Sequence, residues 1–425
     1  MNLVLGLVIL LLVGRVAVEL LLSRLNRSEV LANRKQVPDA FKGTIDEPTY
    51  LKSVDYTLAK NKLGNFETLY DGLVLGVILM TGILAWFYFR WTGSTGGSVW
   101  AKAAFLFAAG VLLSLPGLPL SWYAQFRLEE KFGFNTTSQK LWWIDRLKGL
   151  LLSALLGYPL LVLILKLVEW SGPSWWIYAW AVVLGFQLLM LVLAPSVIMP
   201  LFNKFSPLPE GSLRERLLAL GRKTGFHARN IQVMDGSKRS RHSNAFFTGF
   251  GRWRKIVLFD TLVQQLSEPE LEAVLAHEIG HYKKRHIPKM MLFSAASLFG
   301  AFYLIAWLSN QRWFLQPFGF DVQHGIVPVM LLFALLSGLV TFWLSPLLHF
   351  WSRRYEYQAD RYAAEVMGES ASLTGALRKL NEKNLSNLTP HPAYSAFYYS
   401  HPTLTERERA LGSTEEPNGK EALAT

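Results

Sequence analysis

Long apolar runs alternate with charged segments along this chain of 425 residues. Seven of the runs are long enough to cross the hydrocarbon core of a bilayer, which is about 30 Å thick, as α-helices. Their residues are 2–23, 69–90, 101–123, 149–168, 175–202, 288–308 and 326–349. The pattern predicts a mainly α, polytopic membrane protein with seven transmembrane helices.

Two of the charged segments are long enough to fold. Within residues 206–287, "PEGSLRERLLALGRKTG" has the spacing of an amphipathic helix, and "NIQVMDG" and "KIVLFD" have the composition of short strands. Residues 350–412 have helical spacing. We therefore expect membrane helices one to five in 1–205, a small α+β domain divided between 206–287 and 350–412, membrane helices six and seven in 288–349, and a polar, disordered tail in 413–425.

Basic residues are expected on one side of the predicted bundle. Nearly all Lys and Arg lie in residues 24–68, 124–148, 203–287 and 350–425. Cytoplasmic loops are rich in these residues, so we expect the N-terminus outside and every basic segment in the cytoplasm. The net charge of +12 is then explained by loops that face anionic lipid, because the chain is 51% hydrophobic. We expect the lipid bilayer as a partner and no nucleic acid.

The stretch "SEPELEAVLAHEIGH" contains a metal-site pattern on a predicted helix. Ser267 and Glu270 have the spacing of a capping box at its start. His277 and His281 are four residues apart, so they share one face of the helix and would hold one ion together. Glu278 would reach a water at that ion. This is the H-E-x-x-H zinc pattern with glutamate as general base, in a chain whose lack of cysteine excludes thiolate ligands.

A catalytic zinc site has three protein ligands and one open position, so a third ligand must come from elsewhere. The best candidate is Glu356 in "RRYEYQADRYAAEVMGE". Asp360, one helical turn later, could accept the second N–H of a ligating histidine and fix its orientation. Glu365 and Glu369 are competing candidates for the third ligand. His286 lies beyond the motif, and we interpret it as a residue at the membrane interface rather than a ligand.

The two halves of this site come from distant parts of the chain. The histidine pair ends just before the sixth predicted membrane helix, and Glu356 follows the seventh. Two crossings return the chain to the same side of the membrane. Helices six and seven would therefore form a hairpin that brings the ligands together at the membrane surface.

At these residues the chain resembles the type I CAAX prenyl proteases, which are integral-membrane zinc metalloproteases that include the yeast a-factor-converting enzyme. The resemblance covers most of the chain and is carried by "EEKFGFN", "APSVIMPLFNKFSPL", "HSNAFFTGFG", "HEIGH", "RRYEYQAD" and "YSHPTLTERERAL". It implies seven helices around a large hydrated chamber and one Zn²⁺ per chain in a small α+β zinc metalloprotease domain. It also implies that zinc is bound by His277, His281 and Glu356, and that water is activated by Glu278.

The resemblance implies roles for residues outside the zinc motif. Asn244, Ala245 and Phe246 would lie on a strand that pairs with the backbone of the substrate. His401 and Arg407, from "HPTLTER", would lie near the scissile carbonyl or support the site. The alternatives are that Asn244 is a turn residue and that Arg407 is a surface charge.

The predicted function is that of a membrane-embedded zinc metalloendopeptidase. Glu278 would take a proton from water that zinc makes more acidic, and would later pass it to the leaving amine. His401 or Arg407 would help to stabilise the oxyanion. The expected substrates are membrane-associated polypeptides, either prenylated at a CAAX-type end or unfolded; a quality-control protease without prenyl specificity is the alternative.

Two other classes of protein fit part of the pattern. An intramembrane protease of the site-2 type would carry the histidine motif inside a membrane span, but "ELEAVLAHEIGHYKKRH" is too charged for that position. A transporter-like pseudoenzyme would show damaged catalytic residues, and none is damaged here. We expect a bacterial homologue in the inner membrane, because "EALAT" is no obvious retrieval signal, with the endoplasmic reticulum membrane as the alternative.

Overall fold

A computed structural model describes residues 2–226, 230–248 and 255–412 of the chain. The predicted tail, 413–425, lies outside the described residues. Within them, seven stretches are helical, long and apolar enough to cross a membrane: Leu3–Ala32, Glu47–Met80, Val99–Phe132, Gln139–Trp170, Gly172–Phe202, His286–Leu308 and Ile326–Met367. Each overlaps one of the predicted spans, so the predicted number of membrane helices is confirmed for this part of the chain.

The helices between residues 2 and 204 are α1 Leu3–Ala32, α2 Glu47–Met80, α3 Ile83–Thr95, α4 Val99–Ser114, α5 Leu118–Tyr123, α6 Glu130–Phe132, α7 Gln139–Trp170, α8 Trp175–Leu193 and α9 Met199–Phe202. The later helices are α10 Ser212–Thr224, α11 Asp260–Gln265, α12 Glu268–Lys283, α13 His286–Leu308, α14 Arg312–Leu315, α15 Ile326–Thr341, α16 Ser345–Met367, α17 Ala371–Lys383, α18 Pro392–Tyr398 and α19 Leu404–Gly412. The helix predicted from "PEGSLRERLLALGRKTG" is α10, and the helical prediction for 350–412 is confirmed by α16 to α19.

The limits predicted for the second span are wrong. The prediction was 69–90, but α2 ends at Met80 and α3 begins at Ile83. Gly82 lies between them with φ of +73°, a left-handed conformation that glycine adopts at little cost and that interrupts a helix. The apolar composition continues across this break, so hydropathy alone could not reveal it.

The last span extends further than predicted. After α15, a short 3₁₀ turn at Phe342–Leu344 leads directly into α16, which continues to Met367. The predicted boundary between residues 349 and 350 therefore falls inside one helix. As a result, Glu356 lies on a direct helical extension of the last membrane span.

A four-stranded sheet forms the β part of the small domain. Its strands are β1 Phe205–Pro207, β2 Asn230–Met234, β3 Ala245–Thr248 and β4 Lys255–Phe259, in the order β1-β2-β4-β3. The strands predicted from "NIQVMDG" and "KIVLFD" are β2 and β4, which pair in parallel, whereas β3 pairs with β4 in antiparallel fashion. β3 is at the end of this order, so one of its edges has no strand neighbour in the described sheet.

The core of the small domain is built around α12. Leu271, Leu275 and Ile279 are buried among apolar residues of α10, α17 and the sheet. On another side α12 packs closely on α16: a Cβ added at Gly280 would lie 3.0 Å from the Cα of Ala359. Because only glycine permits this approach, the helix that carries the histidine pair and the helix that carries Glu356 are in direct backbone contact.

Candidate metal centre

The helix that carries the histidine pair begins with the predicted capping box. Glu270 Oε2 accepts hydrogen bonds from the backbone N–H of Ser267 at 2.7 Å and from its hydroxyl at 2.8 Å. Lys379 on α17 donates to the same carboxylate at 2.8 Å. These bonds stabilise the first turn of α12 and fix it against the rest of the domain.

His277, His281 and Glu356 meet at one point between α12 and α16. The Nε2 atoms of the two histidines are 3.2 Å apart. His277 Nε2 is 3.4 Å from Glu356 Oε2, and His281 Nε2 is 3.3 Å from Glu356 Oε1. One donor atom from each residue lies within 4.8 Å of the others. The hairpin of the last two spans thus brings the two sequence halves together as predicted.

The chemistry of these donors fits a metal ion. Glu356 Oε2 is buried without a hydrogen-bond partner among the described residues, which is costly unless a cation lies beside it. His277 Nδ1 is 2.8 Å from Asp360 Oδ1. Since a carboxylate only accepts, His277 carries its proton on Nδ1 and turns the Nε2 lone pair towards the other two donors. Two nitrogens and a carboxylate oxygen are the usual donor set of catalytic zinc.

Hydrogen bonds to carboxylates also change the basicity of this histidine. Burial lowers the pKa of His277, but the neighbouring carboxylates of Asp360 and Glu356 outweigh burial and raise the pKa to about 9. Both carboxylates therefore favour a positive charge at this point, whether it is a proton or a metal ion.

The other candidates for the third ligand lie outside the centre. Glu365 and Glu369 are exposed on the last turn of α16 and beyond it, and Glu369 accepts a hydrogen bond from the backbone N–H of Ser372. Of the three glutamates weighed from the sequence, only Glu356 comes close to the histidine pair.

Glu278 is partly buried beside the histidine pair, on the next residue of α12. Burial raises the pKa of its carboxyl group, while the neighbouring His277 and His281 partly oppose this shift. A carboxyl group with a raised pKa can accept a proton and return it within one reaction.

Arg407 is buried behind the centre, so its interpretation as a surface charge is wrong. It donates to both oxygens of Asp360, from Nε at 2.8 Å and from Nη2 at 2.5 Å. This bidentate pair fixes the carboxylate that in turn orients His277. His401 lies on the open side of the centre, with Nε2 at 3.5 Å from Glu356 Oε1.

The residues of "SNAFF" occupy the start of the edge strand. Ala245 and Phe246 belong to β3, and Asn244 immediately precedes the strand. Asn244 is exposed, and its side-chain oxygen accepts a hydrogen bond from the backbone N–H of Ala245 at 2.8 Å. Among the described residues the outer edge of β3 has no neighbouring strand, which is the arrangement that pairing with an extended peptide requires.

Cavities with mixed polar and apolar walls lie between the centre and the first membrane helices. Three neighbouring cavities of about 600, 440 and 340 Å³ share Tyr398 in their walls. His401 and Arg407 line the second of them, and Glu19 lines the first and the third. Glu19 also accepts a hydrogen bond from Arg15 Nε at 2.8 Å, which is an ion pair within the first span. Because they share Tyr398, the three cavities lie next to one another, from the residues beside the metal centre to the first span.

Two side-chain contacts were not recognised from the sequence. His286, the first residue of the sixth candidate span, is buried against His281. His242, which precedes the edge strand, stacks on Phe134 with ring centroids 4.0 Å apart and contacts Glu129 Oε2 at 3.2 Å. Glu129 of "EEKFGFN" and His242 of "HSNAFF" are 113 residues apart in the chain, and only the fold shows that these motifs meet.

Comparisons with known proteins agree with this description. Residues 27–204 match the family described as CAAX prenyl protease N-terminal, five membrane helices, and residues 207–415 match Peptidase family M48. The chain is similar to CAAX prenyl protease 1 of Saccharomyces cerevisiae, with 38% identity over 88% of each chain, and to its Homo sapiens homologue, with 32% identity over 88% of each chain. The crystal structure of S. mikatae Ste24p is similar with a TM-score of 0.86 and 35% identity, covering 95% of this chain and 97% of that one.

Proposed function

This chain belongs to the CAAX prenyl protease 1 family of membrane metalloproteases, and we propose that it cleaves peptide bonds with zinc held by His277, His281 and Glu356. The observation that carries this proposal is the meeting of the three donor atoms, within 4.8 Å of one another, beside Glu278. The complete motif speaks against a transporter-like pseudoenzyme. Its place on α12, before the sixth span, speaks against a protease of the site-2 type.

The side chains of the centre divide the chemistry between them. Zinc bound there would supply Lewis-acid chemistry, polarising the peptide carbonyl and making water a stronger acid. Glu278 would take the proton of the attacking water and deliver it to the leaving amine. His401 would donate to the oxyanion from the open side of the centre. Arg407 would act through Asp360, which orients His277, and is therefore assigned a positioning role.

The proposed substrate is an extended polypeptide tethered to the membrane. The free edge of β3 supports pairing with an unfolded backbone beside Asn244, Ala245 and Phe246. The names of the relatives point to prenylated CAAX-type ends, and we propose these as one substrate class. A quality-control protease that accepts unfolded membrane proteins without a prenyl group is the second candidate, because the polar chamber gives no sign of requiring a lipid.

The metal roles can be tested on purified protein. We expect one zinc per chain in the unaltered protein, and loss of metal in His277→Ala and Glu356→Ala. Glu278→Gln should keep the metal and lose activity, because Glu278 is assigned as a base and not as a ligand. Glu365→Ala is the matched control and should keep both the bound metal and the activity. Release of metal by Glu278→Gln, or full metal in Glu356→Ala, would contradict the assignment.

We propose that the N-terminus lies outside and that both halves of the catalytic domain face the cytoplasm, as the distribution of Lys and Arg supports. A reporter active only in the cytoplasm should work when fused after residue 412 and be silent when inserted at 94–98 or 171–173. The opposite pattern would reverse the topology. The relatives compared above are eukaryotic, so the expected bacterial source and inner membrane have no support from them, and the endoplasmic reticulum membrane is kept as the alternative.

A further inference from the structure

His286, the first residue of α13, lies directly behind the metal centre. Its side chain is among the most buried polar groups of the described chain, with 1% of the residue exposed. Its Nδ1 is 3.0 Å from Nδ1 of His281, and its Nε2 is 2.9 Å from Oε1 of Gln358 on α16. Both ring nitrogens of His286 thus have a partner, and one partner is a candidate metal ligand.

The backbone before His286 adopts a costly conformation that brings this contact about. Arg285, in the turn between α12 and α13, has φ of +56° and ψ of +38°, and it is one of two non-glycine residues with positive φ in the described chain. Its side chain is exposed and does not explain the conformation. The left-handed turn directs His286 back towards the end of α12. Such backbone strain persists where the surrounding structure holds it in place.

The ring of His286 is also held in its plane. Tyr355, the residue before Glu356, stacks on it with ring centroids 4.1 Å apart and an angle of 12°. On the same helix, Glu356 is a proposed metal ligand, and Gln358 provides the hydrogen-bond partner of His286 Nε2. One short segment of α16 therefore fixes both the donor set and the histidine behind it.

The hydrogen bonds permit one consistent arrangement of protons. His281 Nε2 faces His277 Nε2 and Glu356 Oε1, so its lone pair is the one available to a metal. In the neutral ring the proton is then on Nδ1 of His281, which donates to Nδ1 of His286. The proton of His286 is consequently on Nε2, where it meets the amide oxygen of Gln358. Every donor in this series faces an acceptor.

We propose that His286 is a positioning residue of the metal site, which fixes the tautomer and orientation of His281 as Asp360 does for His277. The inference rests on the proposed function, because it needs a metal at this centre. It assigns different supports to the two histidine ligands: a carboxylate paired with Arg407 behind one, and a neutral imidazole paired with Gln358 behind the other. Partners of this kind fix ligand orientation and raise metal affinity.

Two substitutions separate hydrogen bonding from packing. His286→Phe keeps an aromatic ring to stack on Tyr355 but removes the acceptor. His286→Asn loses the stacking but offers an amide oxygen close to the position of Nδ1. Zinc dissociation constants would be measured by chelator competition on the full-length, detergent-purified protein. The absorption spectrum of the Co²⁺-substituted protein would report ligand geometry independently of activity.

We expect His286→Phe to weaken zinc binding about 10- to 100-fold and to alter the cobalt spectrum, with His286→Asn close to the unaltered protein. Lys289→Ala, one turn along α13 with its ammonium 5.6 Å from the Tyr355 ring, is the control and should bind zinc normally. Normal affinity in His286→Phe, or equal losses in the Phe and Asn variants, would overturn the inference.

Failure of the proposed function would look different, since the unaltered protein itself would then bind no zinc. If His286→Phe does not fold, Gln358→Leu replaces it as the test. This variant leaves His286 in place and removes its acceptor, and a several-fold loss of zinc affinity is expected. Unchanged affinity in Gln358→Leu would then count against the positioning role.

Discussion

Arg285 is a residue whose conformation, rather than its side chain, matters to the site. A non-glycine residue in the left-handed region costs of order 1 kcal/mol, and glycine avoids this cost although it loses more backbone entropy on folding. We expect Arg285→Gly to change the free energy of unfolding by less than about 1 kcal/mol, in the stabilising direction, and to keep zinc affinity. The measurement is the thermal midpoint by tryptophan fluorescence, together with zinc titration.

The neighbouring Lys284 provides the matched control. It is exposed like Arg285 but has φ of −79°, so Lys284→Gly gains no relief of strain and should destabilise by about 0.5–1 kcal/mol. If the two glycine variants lose equal stability, the left-handed turn at Arg285 is not strained and His286 is not held by it.

Arg407 shows why a charged residue of a motif can be hidden. Its guanidinium is buried and paired with Asp360 through two hydrogen bonds, so each partner compensates the burial of the other. Removal of one partner leaves an unpaired buried charge. The role of such a residue can be assigned only when the group it pairs with is known.

At the scale of secondary-structure elements, the close contact of α12 with α16 sets the distance between the proposed metal ligands. A Cβ at Gly280 would meet backbone atoms of Ala359, at 3.0 Å from Cα and 3.1 Å from the carbonyl oxygen, and backbone cannot move aside as a side chain can. Gly280→Ala should therefore separate the two helices, lower the free energy of unfolding by about 1–3 kcal/mol and weaken zinc binding.

The control for Gly280 is Gly300→Ala on α13. Apart from its own helix backbone, no atom of the described residues lies within 4 Å of a Cβ added at Gly300. The higher helix propensity of alanine should therefore leave stability unchanged or raise it by up to about 1 kcal/mol. Unfolding midpoints and zinc affinities of both variants would be compared. Normal zinc binding by Gly280→Ala would show that the centre tolerates a wider helix spacing.

The capping box at the start of α12 predicts a dependence of stability on pH. Burial raises the pKa of Glu270, but hydrogen bonds from Lys379 and Ser267 outweigh it and hold the pKa below its ordinary value of 4.5. The ionised carboxylate therefore contributes stability that is complete above pH 4.5 and is lost as the pH falls through the lower folded pKa. Glu270→Gln should be less stable at pH 7 and lose less stability on acidification.

Thermal midpoints of Glu270→Gln and the unaltered protein at pH 7 and pH 4 would test this. Glu365→Gln, an exposed carboxylate on α16, is the control and should follow the unaltered protein at both values. Parallel midpoints for all three proteins across this range would mean that the capping box does not titrate in the predicted window.

At the scale of the whole molecule, the proposed chamber and the edge strand would restrict which substrates reach the centre. Inside a chamber, an edge strand would pair with an extended backbone rather than with a folded domain. An apolar tail should strengthen binding, by roughly 0.8 kcal/mol for each buried CH₂ group, if it remains in the bilayer beside the bundle. We expect rapid cleavage of a lipid-tailed peptide, slower cleavage of the free peptide and resistance of the same segment inside a disulfide-locked domain.

Hydrolysis rates of these three forms of one target segment would be compared under identical conditions. Glu278→Gln serves as the inactive control for contaminating proteases. Equal rates for all three forms would mean that the centre is open at the surface, and the proposal of a shielded chamber would fall.

Much of this architecture could be predicted from the sequence because its signals are local. Apolar runs of bilayer length identify the seven spans, and the i, i+4 spacing of His277 and His281 requires no more than one helix. The capping box is likewise contained in four consecutive residues, Ser267 to Glu270. Each signal depends on the geometry of one element, and that geometry is the same in any fold.

The tertiary structure alone decided how these elements meet. It selects Glu356 over the exposed Glu365 and Glu369, because only Glu356 lies opposite the histidine pair where α16 crosses α12 at Gly280. The tertiary structure also buries Arg407 against Asp360, although the two residues are 47 positions apart in the chain.

His286 and the break at Gly82 were missed for a related reason. The left-handed turn at Arg285 occurs at a residue that does not favour it, and the break at Gly82 lies within an uninterrupted apolar run. Composition and spacing describe the preferences of a segment by itself. Which partner a side chain contacts, and how much strain a turn can bear, depend on packing between segments, and that is determined only when the whole chain is folded.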